Sequence, residues 1–282
     1  MFSLVQFHHG ISCTDIEQTK AVLRSIGFSG HQPGAPEPLV YRNVDDDFIG
    51  QVTAPVLGDE YHTHYVENPV TGQQIDLIEI QRAWLKPRDW KHPAQGDLVI
   101  GIQVDDPIDA YRAMQAADPD CRYSDPEPCA AEDGIQFDWR DGQRTILTTR
   151  EPFAVLHYSP EDFPKARRFF ESVLDVPVTP VPDAADQRYR LQGIQGRVDV
   201  VVTAAARRLD FREWGKRYPG ANHLRLIGRD LGAVGRAMQE TGLGGYIIPA
   251  SGGFAFLHGP CGEAIETFDR TFAPPRAAEA GA

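Results

Sequence analysis

The sequence predicts an α+β protein built from four β-α-β-β-β units that form two related halves. Three observations carry this expectation. Short stretches alternate apolar and polar residues, the period of strands half-buried in a sheet. An aspartate stands seven residues after one strand position in every unit: Asp15 after His8, Asp106 after Val99, Asp162 after Val155 and Asp230 after His223. An internal repeat runs through the chain: Leu85, Arg88, Asp89, Trp90 and Gly96 are matched by Leu209, Arg212, Glu213, Trp214 and Gly220, each 124 residues later. Asp106 and Asp230 keep that offset, as do Gly72 and Gly196.

The elements follow in order. Residues 4–14 read as a strand, with Val5, Phe7, Ile11 and Cys13 on one face and Gln6, His8, Gly10, Ser12 and Thr14 on the other. Asp15 is placed to cap a helix that runs to about Ser25 and stops at Gly27. Val40–Val44, Phe48–Ala54, Tyr61–Glu67 and Gln74–Glu79 read as strands, with a turn at Asn68–Gly72. The polar stretch Gln81–Gly96 is a linker. The second unit opens at Leu98–Val104, has a helix after Asp106, and closes at Arg144–Thr149 after a turn at Asp141–Gly142. The third runs from Phe153–Tyr158 through a helix around Pro164–Val173 to Val198–Thr203. After the linker Ala204–Pro219, the fourth runs from His223 through a helix at Leu231–Thr241 to Phe268. The expected modules are 1–80, 97–150, 153–203 and 219–270, with an Ala- and Pro-rich tail at 273–282 expected to be disordered.

Bulk properties narrow the function. A formal net charge of −12 argues against nucleic-acid or anionic-membrane partners, which need clustered Lys and Arg. No apolar run approaches the roughly 20 residues of a membrane span, and the first residues lack a signal-like apolar core. The four cysteines show no C-x-x-C spacing, so neither a zinc finger nor a disulfide framework is indicated. The expectation is a cytoplasmic protein with reduced thiols that acts on a small molecule as a monomer or homodimer.

The repeat also states which residues are equivalent. His8, Val99, Val155 and His223 share one place, each seven before its aspartate. Asp76, Ile146, Val200 and Glu266 share another, each four after a glycine. Units one and four are polar at both places, and units two and three are apolar at both.

His8–Glu17, reading HHGISCTDIE, resembles the opening strand of the vicinal oxygen chelate superfamily, and Gly262–Glu266 resembles its closing strand. That superfamily includes glyoxalase I, methylmalonyl-CoA epimerase, extradiol ring-cleaving dioxygenases and the bleomycin- and fosfomycin-resistance proteins. The resemblance covers nearly the whole chain as four modules. It implies paired modules forming two open, cup-shaped barrels, with a metal held by first- and last-strand residues. Carried over by position, it implies His8, His223 and Glu266 as ligands, with Asp76 at the fourth place as ligand or general base. His9 is the alternative to His8. Two imidazoles with one or two carboxylates suit one divalent ion of Fe, Mn, Ni, Zn or Co. Pairing module one with four and two with three gathers all four residues in one cup; a domain-swapped dimer would do the same between chains.

On the third strand of module one, His62 and His64 alternate with Thr63 and Tyr65, and one of these faces should line the cup. His62, His64 and Phe256 are candidate substrate contacts, and Tyr65 is a candidate catalytic residue matched in module four by Phe256. The resemblance admits three activities. The first is a glyoxalase- or epimerase-like isomerase or lyase, for which Asp76 argues. The second is a non-haem Fe(II) extradiol-type dioxygenase, for which the four-module length argues. The third is a metal-free binding or resistance protein.

Overall fold

Strand alternation and the aspartate that follows each opening strand shape the architecture. The computed structural model describes residues 8–30, 39–41, 61–80, 98–182, 184, 186–194, 196–204, 220–228, 230–251 and 254–269. The first unit holds β1 (His8–Cys13), α1 (Ile16–Ser25), β2 (Ser29–Gly30), β3 (Leu39–Tyr41), β4 (Tyr61–Glu67) and β5 (Gln74–Ile80). The second holds β6 (Leu98–Gln103), α2 (Pro107–Ala117), β7 (Glu127–Cys129), β8 (Gly134–Trp139) and β9 (Gln143–Thr148). The third holds β10 (Phe153–Tyr158), α3 (Phe163–Arg168), β11 (Val178–Pro180), β12 (Gln187–Leu191) and β13 (Arg197–Val202). The fourth holds β14 (Gly220–Gly228), α4 (Leu231–Thr241), β15 (Gly245–Ser251), β16 (Phe254–His258) and β17 (Ala264–Asp269). The expected strand Phe48–Ala54, the tail at 273–282 and nearly all of both linkers lie outside the described residues.

Three of the four aspartates cap helices through their side chains. Asp15 accepts the Gln18 N–H at 2.9 Å, Asp106 those of Ile108 and Asp109 at 2.8 and 3.0 Å, and Asp230 that of Ala233 at 3.0 Å. Each bond satisfies an amide the first helical turn leaves without a partner, worth about 1 kcal/mol. Asp162 differs: its carboxylate accepts the Ser159 hydroxyl instead, and the short α3 widens into a π-helical turn at Phe169–Val173.

Two sheets result. One runs β15-β16-β17-β14-β1-β5-β4-β2, with β3 also on β4; the other runs β11-β12-β13-β10-β6-β9-β8-β7. The opening strands meet antiparallel, β1 with β14 and β6 with β10. Each closing strand lies parallel to the opening strand of its own unit. Module one therefore pairs with four, and two with three, the arrangement within one chain expected from the polar places.

Alternation then sorts the two faces of each sheet. Ile11, Ile75, Leu77, Leu224 and Leu226 of the first sheet join Ile100, Leu147, Leu156, Val198 and Val200 of the second in one buried core shared with the helices. Within it α1 packs on α2, and α4 on the π-helical turn. Each such aliphatic side chain contributes about 1.5–3 kcal/mol by leaving water. The opposite face, here the cup face, carries a smaller apolar cluster in the second sheet: Val99, Ile146, Phe153, Val155 and Val201.

The register corrects one expected equivalence. Gly10 stands beside Asp76, Gly101 beside Ile146, Arg225 beside Glu266, and His157 beside Val201. The third-unit counterpart of Asp76 and Glu266 is thus Val201, because one more residue separates it from its turn glycine. Val200 points into the shared core, and its neighbour Asp199 lies on the cup face beside Val155.

Candidate metal centre

His223 and Glu266 are brought together by the parallel pair β14–β17. Glu266 registers with Arg225, so His223, two residues earlier, lies on the same face. His223 Nε2 stands 3.6 Å from Glu266 Oε2, and the residues are 2 % and 4 % exposed. A carboxylate removed from water needs a compensating charge or hydrogen bonds. Two donors each about 2.0–2.2 Å from one divalent ion can stand up to about 4 Å apart. The pair therefore fits as two ligands of a single ion, and an imidazole with a carboxylate is a donor set such ions accept.

The neighbouring strands extend this floor. Gly10 of β1 registers with His223 on one side and with Asp76 of β5 on the other. Asp76 is 5 % exposed. Two strand spacings set its Cα about 10 Å from that of His223, with a residue lacking a side chain between them. Among the described residues no three His, Cys, Asp or Glu side chains gather closely enough to hold a metal ion. His223 and Glu266 thus form a pair, and Asp76 shares their face at a distance.

His9 and His8 separate by alternation. His9 registers with Ile75 and Leu224, both buried and apolar, and is itself fully buried. Burial, assisted by His223, lowers its pKa to about 3, so its imidazole is neutral throughout the physiological range. His8 registers with Gln74 on the face of Gly10 and Asp76; its side chain lies outside the described ones.

Tyr65 of β4 is half-buried and registers with Asp76, as Phe256 registers with Glu266. His64 instead registers with Leu77 and is buried on the core face, so the expected pocket role is not carried further for it. His62 alternates with Tyr65 and registers with Glu79. The side chains of His62, Arg225 and Phe256 lie outside the described ones.

Two groups of buried charged residues escaped the sequence reading. Glu263, in the turn before β17, accepts the Cys261 N–H at 2.8 Å and lies against the Tyr158 hydroxyl. In the second sheet, Glu132, Arg188, Arg197 and Asp199 form a buried ionic network. The alternation of Arg197, Asp199 and Val201 was the signal for its β13 members. Glu132 comes from a distant turn and left none.

No family model matches the chain, and no curated protein matches it in sequence. Solved structures match it along nearly its whole length. Glyoxalase I from Zea mays superposes with a TM-score of 0.59 at 14 % identity, over 94 % of this chain and 92 % of that one. A Bacillus subtilis subsp. subtilis strain 168 protein assigned as a dioxygenase gives 0.60 at 12 %, over 97 % and 87 %. The CppA protein of Streptococcus pneumoniae TIGR4 gives 0.52 at 8 %, over 94 % and 98 %. At such identities the likeness is one of fold. The chain has the four-module fold of the vicinal oxygen chelate proteins. No described helix is long and apolar enough to cross a membrane.

Proposed function

We propose that this chain is a divalent-metal-dependent enzyme that binds a small molecule through two neighbouring oxygens and isomerises or cleaves it by proton transfer. The observation that carries this reading is the buried His223–Glu266 pair, 3.6 Å apart on a face shared with Asp76. His223 and Glu266 would hold the ion, with His8 as the third protein ligand from β1. Bound there, Fe, Mn, Ni, Zn or Co would polarise the substrate oxygens and acidify a neighbouring C–H. Asp76 would take that proton, because a buried carboxylate beside a vacant glycine position can reach a substrate without itself binding the ion. The opening and closing strands that build this floor come from one chain, so the site needs no second copy.

One observation favours a second reading, extradiol-type ring cleavage with Fe(II): Tyr65 stands beside Asp76, where a phenol could exchange a proton with a catecholic substrate. Metal analysis after anaerobic purification tests the shared part. His223→Ala and Glu266→Ala should each lose the ion, and His157→Ala, in the other sheet, should keep it. Equal metal content in all three would remove the site. Oxygen uptake with catechols and hydroquinones would then select ring cleavage, and metal-dependent turnover without uptake would select isomerase or lyase chemistry.

A further inference from the structure

Glu263 is 1 % exposed yet has no role in the function proposed above. It lies in the turn between β16 and β17, the strand that carries Glu266. Its carboxylate accepts the Cys261 N–H at 2.8 Å, and its backbone carbonyl accepts the Gly259 N–H at 2.9 Å. The carboxylate packs so closely on Gly259 that a side chain there would overlap it. The same turn is docked on the third module: the Tyr158 hydroxyl, fully buried at the end of β10, lies against the Glu263 carboxyl, and Cys261 Sγ donates to the Asp162 carbonyl at 3.5 Å. Burial raises the Glu263 pKa, and the Cys261 N–H bond partly offsets it. A cavity of about 10 Å³, room for one water at most, is lined by Glu263, His223, Leu224, Leu98 and Leu156. Glu263 therefore borders the strands of His223 and Glu266 and two strands of the opposite sheet.

We propose that Glu263 is a positioning residue for the His223–Glu266 pair: it pins the β16–β17 turn to Tyr158 and so fixes where β17 presents Glu266 to His223. This rests on the metal reading above. It also gives the second sheet a part in the site, since the anchor comes from β10.

The test uses the full chain loaded with Co(II), reading affinity and the visible ligand-field spectrum. Wild type is read first; no Co(II) binding there would end the metal reading and this inference with it. With wild-type binding established, Glu263→Ala should weaken Co(II) by about tenfold or more and change the spectrum, the usual scale for a residue behind a ligand. Glu263→Gln, neutral and of the same shape, should restore both. Tyr158→Phe should show a smaller loss in the same direction, and it carries the test should Glu263→Ala fail to fold. Val198→Ala, buried in the core and absent from this turn, should lose stability while keeping affinity and spectrum. Wild-type binding and spectrum in Glu263→Ala, or in Tyr158→Phe where it stands in, would overturn the proposal. So would equal losses in Glu263→Ala and Glu263→Gln, or a Val198→Ala spectrum altered like that of Glu263→Ala.

Discussion

Glu132→Ala tests what holds the second sheet's cup face together. Glu132 ends the 3₁₀ turn Ala130–Glu132 between β7 and β8 and is 2 % exposed. Its carboxylate bonds Arg197 through one oxygen and Arg188 through the other, the latter at 2.8 Å. Removing one member of a buried ion pair leaves an uncompensated charge and costs about 3–5 kcal/mol. Here Asp199 remains 3.5 Å from both guanidiniums, and the Arg188 side chain is 16 % exposed. The loss should therefore fall at the lower end, about 3 kcal/mol. Arg197 also stacks 4.0 Å above the Phe153 ring, so its displacement would loosen the apolar cluster as well. Urea unfolding gives the measurement: the midpoint should fall with an unchanged m-value. Glu132→Gln, which keeps an acceptor but not the charge, should fall between. Arg112→Ala, breaking an exposed pair with Asp109, should cost under about 1 kcal/mol. A Glu132→Ala loss no larger than that of Arg112→Ala would refute the reasoning and mean that water or a rearranged Arg replaces the carboxylate.

Glu263 makes stability depend on pH with a definite sign. Burial raises its folded-state pKa, partly offset by the bond from the Cys261 N–H, the nearby Tyr158 hydroxyl and the charge of Lys165. Between the ordinary carboxyl value of about 4.3 and that raised value, the folded protein holds a proton the unfolded chain has lost. The contribution is thus present below the ordinary value and lost as pH rises through the folded one. Urea midpoints followed upward from pH 4 should fall more in wild type than in Glu263→Gln; parallel curves would contradict the burial effect. Gly101→Ala should cost about 1–3 kcal/mol, because the new methyl would overlap the Phe153 ring directly across the strand pair. A wild-type urea midpoint would show that the ring can move aside freely.

Much of the fold was legible because it depends on local periodicity. The aspartate spacing located three capped helices, and the polar places at His8, Asp76, His223 and Glu266 implied the pairing of module one with four. What failed was the assumption of constant spacing after each turn glycine. One extra residue after Gly196 moved the third unit's equivalent place to Val201 and brought Asp199 onto the cup face. The strand's own alternation would have shown this, since Val198, Val200 and Val202 share the core face. His64 posed a two-fold choice that only the β4–β5 register resolves. Glu132 meets Arg188 and Arg197 across long stretches of chain, and no periodic signal connects them.

The two sheets share one plan and put it to different uses, and the difference lies in the central register. In the second sheet the opening strands pair evenly: Val99 meets Val155, and Gly101 makes room for the Phe153 ring. Phe153, the stacked Arg197 and the ionic network then occupy that face with side chains of the chain itself. In the first sheet β1 and β14 are shifted, with an irregularity between Gly10 and Ile11, so His223 meets Gly10 instead of the histidine at its own place. A residue without a side chain thus stands between His223 and Asp76, where the second sheet has packed rings and aliphatic groups. A face that carries an imidazole, two carboxylates and a glycine leaves room for a ligand beside polar groups; a face filled by its own rings and ion pairs does not. This asymmetry explains why candidate chemistry collects in modules one and four while modules two and three brace them.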